Sequence, residues 1–143
     1  MTTRRAVGAV LVCGCALALG SCDSGMSPSD IDVDGSWTGT WRFVTAGVTV
    51  TDTVTARLTQ DGSNASGTWM SESGPSGDLT FTVGASISGT LTITQTTLIG
   101  QTCSATTNLS GSAASGTIEF TTTEITPGGI CQWAASNQFS FRR

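Results

Sequence analysis

From Gly35 onward, apolar and polar residues alternate with a period of two rather than 3.6, the mark of strands with one buried face. Trp37, Gly39, Trp41 and Phe43 share one face, against Ser36, Thr38, Thr40 and Arg42. Val48, Val50, Val54, Ala56 and Leu58 then oppose a row of Thr broken by Arg57. Asp61-Gly62-Ser63-Asn64 predicts a turn, because Asp, Gly, Ser and Asn each favour turn backbone or hydrogen-bond to it. Ala65, Gly67 and Trp69 follow as an inward set, and Glu72 to Gly77 forms a second turn. From Leu79 to Ile93 every second residue is apolar or Gly. Extended, the stretch from Leu79 to Gln95 would span about 55 Å, too long for one strand. Its parity never changes, so an odd-length turn or bulge is expected within Gly84–Gly89. Cys103, Ala105, Thr107 and Leu109 form the next inward row, and a turn over Gly111–Ser115 switches parity to Ile118 and Phe120. After Pro127-Gly128-Gly129, the last row is Cys131, Trp133, Ala135, Phe139 and Phe141.

The pattern predicts an all-β domain over 35–143: about eight antiparallel strands, joined by short turns, with an apolar face and a Thr/Ser face. Such a meander removes its edges by closing into an up-and-down barrel. A two-sheet β-sandwich is the alternative. A barrel of eight strands is either filled by side chains or holds one small ligand. Trp37, Trp41, Trp69 and Trp133 are the residues that would line such a pocket, or fill the space beside inward Gly39, Ala56, Gly67 and Ala135.

The first 34 residues read differently. Arg4 and Arg5 precede fourteen small or apolar residues, Ala6 to Leu19. That run is too short to span a bilayer, which needs about 20 residues, and it suits the h-region of an export signal. Leu19-Gly20-Ser21-Cys22 resembles the bacterial lipobox, which implies cleavage after residue 21 and a lipid on Cys22. The expected organisation is a signal peptide at 1–21, a flexible acidic spacer at 22–34 and the β domain at 35–143. The localisation implied is the bacterial cell envelope, lipid-anchored. Asp23 resembles an inner-membrane retention mark used by some bacteria, and inner and outer membrane both stay open.

Composition then narrows the chemistry. Residues 22–143 contain no Lys, His or Tyr, and four Arg against ten acidic residues give a net charge of −6. About a third of them are Thr or Ser. A negative chain without Lys is a poor nucleic-acid binder, since phosphate affinity rests on cationic side chains. It gains nothing electrostatically from anionic lipid, so membrane contact is expected through the acyl chains alone. Of the five cysteines, Cys13 and Cys15 leave with the signal and Cys22 takes lipid. Cys103 and Cys131 remain, an even pair expected to form a disulfide in an oxidising compartment. Closing a loop of about 28 residues would stabilise the fold by about 3–4 kcal/mol.

Absence of His excludes Ser-His-Asp and Cys-His nucleophilic sites and His-ligated zinc. Absence of Lys excludes Schiff-base chemistry. The carboxylates of the β domain are Asp52, Asp61, Glu72, Asp78, Glu119 and Glu124. None has clear inward parity within an apolar stretch, except that Glu124 follows Ile118 and Phe120 in parity near a strand end, and no pair stands out that could face one cleft as glycoside hydrolysis requires. No enzyme activity and no cofactor are expected. Asp30, Asp32 and Asp34 followed by Gly35 match the first half of a calcium loop. Position twelve of that loop would be Trp41 instead of a bidentate Glu, so an acidic spacer is the expected role.

Gly35-Ser36-Trp37 and Gly39-Thr40-Trp41 resemble the Gly-x-Trp opening strand of lipocalin-like (calycin) barrels. The wider pattern is similar to that of small bacterial lipoproteins with such domains. It runs through Leu58-Thr-Gln-Asp-Gly62 and Ser66-Gly-Thr-Trp69 to Phe139-Ser-Phe-Arg-Arg143. The resemblance implies that an Arg from the end of the last strand packs on the first-strand Trp, and parity makes that Arg143 on Trp37. It also implies either a small apolar ligand inside the barrel or a stable scaffold. The alternative it brings is a protein-binding module, since several envelope inhibitors of lysozymes and proteases are similar small barrels.

Overall fold

A computed structural model describes residues 31–123, 125 and 136–143, and in these the chain is all strand and turn. The eight strands are β1 (Gly35–Thr45), β2 (Val48–Asp61), β3 (Asn64–Ser71), β4 (Ser76–Thr82), β5 (Ile87–Thr96), β6 (Thr102–Ala114), β7 (Thr117–Thr122) and β8 (Asn137–Arg142). Each pairs antiparallel with the next, and β8 also pairs with β1, so the sheet closes into a barrel. The closing register sets Thr38 opposite Arg142, Thr40 opposite Ser140 and Arg42 opposite Gln138. A sandwich is thereby excluded.

The turns keep or switch the inward parity of the strands they join. Thr82 pairs with Ser88, which leaves 83–87 between them, an odd interval that keeps odd positions inward on both β4 and β5. The parity switch after β6 is present but later than the residue types suggest: Gly111 to Ala114 stay in the strand, and Ala114 pairs with Thr117 around Ser115-Gly116. Gly111 resembles a turn residue but serves as a narrow point in the wall, where a Cβ would lie 1.9 Å from the Glu119 carbonyl oxygen. The β1–β2 hairpin turns on Ala46 (φ 48°) and Gly47 (φ 78°). Both values are positive, as a type I′ turn requires, and Ala46 adopts that conformation against its own Cβ.

The chain enters at one mouth of the barrel, called proximal here. Arg143 returns to the same mouth. The distal mouth carries the 46–47, 72–75 and 97–101 turns, the end of β7 and the start of β8. The core is continuous from Ile31 and Val33 through the Trp, Phe, Leu and Ile residues of all eight strands. The outward face is Thr and Ser, with cross-strand hydroxyl pairs Thr92–Thr106 (3.2 Å) and Thr94–Ser104 (3.0 Å) on β5–β6. This is the inverse of a membrane-spanning barrel, whose outer band is apolar.

Residues 31–34, which composition groups with the flexible spacer 22–34, belong structurally to the barrel. Ile31 and Val33 are buried. Gln60 fixes them through its side-chain amide: the Val33 N–H donates to Gln60 Oε1 (2.8 Å), and Gln60 Nε2 donates to the Ile31 carbonyl (3.1 Å). The polar residues around these two hide a short period-two signal, and burial of two aliphatic side chains stabilises the docked strap by about 1.5–3 kcal/mol each.

Candidate functional site

Three of the four tryptophans predicted to line a pocket are described, and all three are buried: Trp37, Trp41 and Trp69. They do not face a shared space. Trp37 sits at the proximal mouth, donating Nε1–H to the Val33 carbonyl (2.9 Å). The Arg143 guanidinium carbon lies 4.6 Å from its ring centroid, the cation–π contact implied by the calycin resemblance. Arg143 also donates Nη2–H to the Asp32 carbonyl (2.7 Å) and pairs with the Asp32 carboxylate at 3.5 Å. The last residue of the sequence and the strap therefore clamp the first tryptophan between them.

Trp41 and Trp69 lie deeper, in a packed aromatic column. Trp41 stacks on Phe139 (5.7 Å) and meets Trp69 edge-on (5.5 Å); Phe139 in turn stacks on Phe120 (4.9 Å) and meets Trp69 edge-on (5.1 Å). Such offset and edge-to-face contacts add about 0.5–1.5 kcal/mol per pair beyond area burial. Each indole N–H is satisfied by the protein: Trp41 donates to Asn137 Oδ1 (2.9 Å) and Trp69 to the Thr92 carbonyl (3.0 Å). Gly77 makes the second bond reachable, since a Cβ there would lie 1.7 Å from that same carbonyl oxygen. Among the described residues no buried side-chain nitrogen or oxygen lacks a partner. A ligand pocket orients its ligand through a few unengaged polar groups, and the described residues bury none. Trp133 lies outside the described residues.

Polar side chains inside the barrel gather toward the distal mouth. Asn137 donates Nδ2–H to Thr122 Oγ1 (3.2 Å), and the Thr107 hydroxyl donates to the Thr123 carbonyl (2.9 Å). Asp52, opposite Trp41 in the register, takes an inward position on β2. It interrupts the inward row between Val50 and Val54, where a carboxylate is unexpected from the residue pattern. It accepts from the Ser71 hydroxyl, the Ser73 N–H (3.2 Å) and the Thr53 N–H (2.9 Å). Partial burial pushes its pKa up, but the Ser71, Ser73 and Thr53 hydrogen bonds outweigh this and hold it below the ordinary 3.8. A carboxylate held ionised by hydrogen bonds anchors the β3–β4 turn and cannot act as a general acid near neutral pH. Glu124, the carboxylate singled out by parity, lies outside the described residues.

Asp32 and Asp34 are committed to local bonds. Asp32 Oδ1 accepts from the Asp34 N–H (2.9 Å), and Asp34 Oδ1 accepts from the Gln60 N–H (3.3 Å). The Asp34 N–H bond, together with Arg143, holds the Asp32 pKa below its ordinary value. Asp30 lies outside the described residues, and among those described no three His, Cys, Asp or Glu side chains converge as metal ligands. Cys103 is buried on the inward face near the start of β6, and its sulfur is engaged. Cys131 lies outside the described residues, as does Cys22. β7 ends and β8 begins at the mouth where β6 starts with Cys103.

Features open to solvent lie on the barrel exterior. Two shallow grooves cross the outer wall. One, of about 630 Å³, runs over β1 to β4 and includes Arg57, Met70 and Asp78; the other, of about 450 Å³, runs over β2, β1 and β8 and includes Thr40, Ser140 and Arg142. At the distal mouth the 97–101 turn holds Leu98 fully exposed and Ile99 79% exposed. This turn is fixed by its own bonds, Thr97 N–H to the Gln101 carbonyl (2.8 Å) and Gly100 N–H to the Thr97 carbonyl (2.9 Å). Comparison of the chain with family models, curated proteins and solved structures finds no match.

Proposed function

We propose that this chain is a lipid-anchored protein of the bacterial envelope, without enzymatic activity, whose barrel is a filled scaffold that recognises a protein partner through its exterior. The observation that carries this reading is the closed aromatic column of Trp41, Trp69, Phe120 and Phe139, with every described indole N–H satisfied internally. An internal apolar ligand, the other expectation of the lipocalin-like resemblance, would have to displace side chains that already fill its place. The rigid Leu98–Ile99 protrusion is the feature best suited to a partner. Two aliphatic side chains held out by a hydrogen-bonded turn lose little entropy on docking into a concave site such as a hydrolase cleft. A net charge of −6 over 22–143 would steer a cationic partner, as a lysozyme is, toward the barrel.

The lipobox-like Leu19-Gly20-Ser21-Cys22 supports the anchor, and the engaged, buried Cys103 supports pairing with Cys131. The strap at 31–34 would then hold the proximal mouth toward the membrane and leave the Leu98–Ile99 tip at the far end. Native mass spectrometry of the chain purified from its own host tests the reading. The expected mass is polypeptide plus acyl groups with no further small molecule. A stoichiometric apolar ligand would overturn it. Cys22→Ser is expected to release a folded domain from the membrane fraction; retention there would remove the anchor.

A further inference from the structure

Residues 22–143 carry a net charge of −6, yet all four of their cations lie on or beside three adjoining strands. Arg143 is engaged by Asp32 and Trp37. Arg42 on β1, Arg57 on β2 and Arg142 on β8 are exposed, and no ion pair or hydrogen bond engages them among the described residues. They share the outer wall with hydroxyls: β1 presents Thr38 and Thr40, β2 Thr51, Thr53 and Thr55, and β8 Gln138 and Ser140. Between the arginines no outward side chain of these three strands is acidic, and Asp61 ends β2 on the same outward face, four residues beyond Arg57. Glu119 on β7 and Asp78 on β4 stand at its borders, and Glu119 accepts from the Ser140 hydroxyl (3.2 Å). The two outer grooves meet at Thr38, and each contains one of the unpaired arginines, Arg57 or Arg142.

We propose that the outer face of β8, β1 and β2 is a docking surface for an anionic polysaccharide. The arginines do not converge. Arg142 stands opposite Thr38 on one side, Arg57 opposite Ser36 on the other, and Arg42 lies four residues further along β1. At about 3.3 Å per residue and about 4.8 Å per strand, the backbone positions of neighbouring arginines are roughly 10–15 Å apart. A single small anion would meet one guanidinium fork, whereas a chain with anionic groups repeated along it meets all three. The intervening Thr and Ser hydroxyls both donate and accept, which matches a polyol backbone. On β1 between Thr38 and Arg42 and on β8 the panel has no outward aromatic or aliphatic side chain; Val44 beyond Arg42 and Met70 on β3 are exposed singly at its edges, short of the clustered anchors of a protein interface or the apolar face that enters a bilayer.

The site is independent of the Leu98–Ile99 tip and survives the failure of that reading. The test is calorimetric titration of the full chain in nonionic detergent with polygalacturonate, with neutral dextran and phosphatidylglycerol vesicles as the other arms. Polygalacturonate is expected to bind at 50 mM salt, at least tenfold more weakly at 300 mM, and at least tenfold more weakly to the Arg42→Gln/Arg57→Gln/Arg142→Gln variant. Where the triple variant loses its fold by circular dichroism, the three single variants replace it, each expected to weaken binding two- to fivefold. No binding of polygalacturonate at 50 mM salt would overturn the proposal. So would equal binding of dextran, tighter binding of the vesicles, or unchanged affinity in the arginine variants.

Discussion

Replacing Phe139 with Ala asks whether the barrel interior is a packed core. Phe139 is wholly buried, and its ring has four aromatic neighbours: Trp41, Trp69, Phe120 and Phe141 at 5.7, 5.1, 4.9 and 6.1 Å between centroids. Truncating a Phe in a close-packed core costs about 3–5 kcal/mol, from lost transfer energy and from the cavity left behind. The rings around Phe139 belong to β1, β3, β7 and its own β8, so no single strand can relax into the gap, which puts the cost at the upper end, about 4–5 kcal/mol. For a domain near 100 residues, each kcal/mol lowers Tm by about 4–8 °C, so Tm should fall by roughly 15–40 °C. The assay is guanidinium unfolding followed by circular dichroism and tryptophan emission, with the slope m unchanged. Phe43→Ala serves as the comparison, since Phe43 is only partly buried and touches Trp41 at the rim (4.3 Å); it should cost about 1 kcal/mol. A cost at Phe139 below about 1.5 kcal/mol with m unchanged would mean that the space around it was already empty, and the reasoning would fail.

Three further outcomes follow from single features. Ala46→Asn should stabilise the β1–β2 hairpin by about 0.5–1 kcal/mol, because Asn tolerates the positive φ that Ala46 adopts; an unchanged or lower denaturation midpoint would contradict the turn assignment. Gly77→Ala should destabilise by at least about 2 kcal/mol and red-shift tryptophan emission, since its Cβ collides with the Thr92 carbonyl that holds the Trp69 N–H; a native-like spectrum would contradict it. Asp52 has a folded pKa below its ordinary 3.8, so the stability it contributes is fully present above that value and is lost as pH falls through the folded pKa. The Tm advantage of wild type over Asp52→Asn should therefore be constant from pH 5 to 7 and shrink below pH 3.8; a difference that does not depend on pH would remove the charge from the explanation.

The architecture was legible because side chains alternate across a strand, and an eight-strand meander with one apolar face has few ways to bury it. Parity alone located the odd interval between β4 and β5 and required a switch between β6 and β7, which falls at Ser115-Gly116 because Gly111–Ala114 stay in the strand. Closure brought Arg143 to Trp37, where the family resemblance had put it. What the sequence hid was set by tertiary contact. Ile31 and Val33 read as isolated apolar residues in an acidic stretch, and only the Gln60 amide and the open proximal mouth give them a place. Asp52 sits inward because Ser71 and Ser73 from the next turn meet it, and no local pattern signals that pairing. Residue types could not decide whether four tryptophans line a hollow or fill it. That depends on ring geometry and on which carbonyls lie within reach of the indole N–H groups.

The central claim is that the barrel is full and works from its outside. Titration of the full chain with an apolar fluorophore, 1-anilinonaphthalene-8-sulfonate, tests it most directly, because Trp41 and Trp69 in the column would transfer energy to any dye beside them. The account predicts no saturable signal and no quenching of tryptophan emission in the wild-type chain. Saturable one-to-one binding with quenching would show an accessible apolar interior and contradict it.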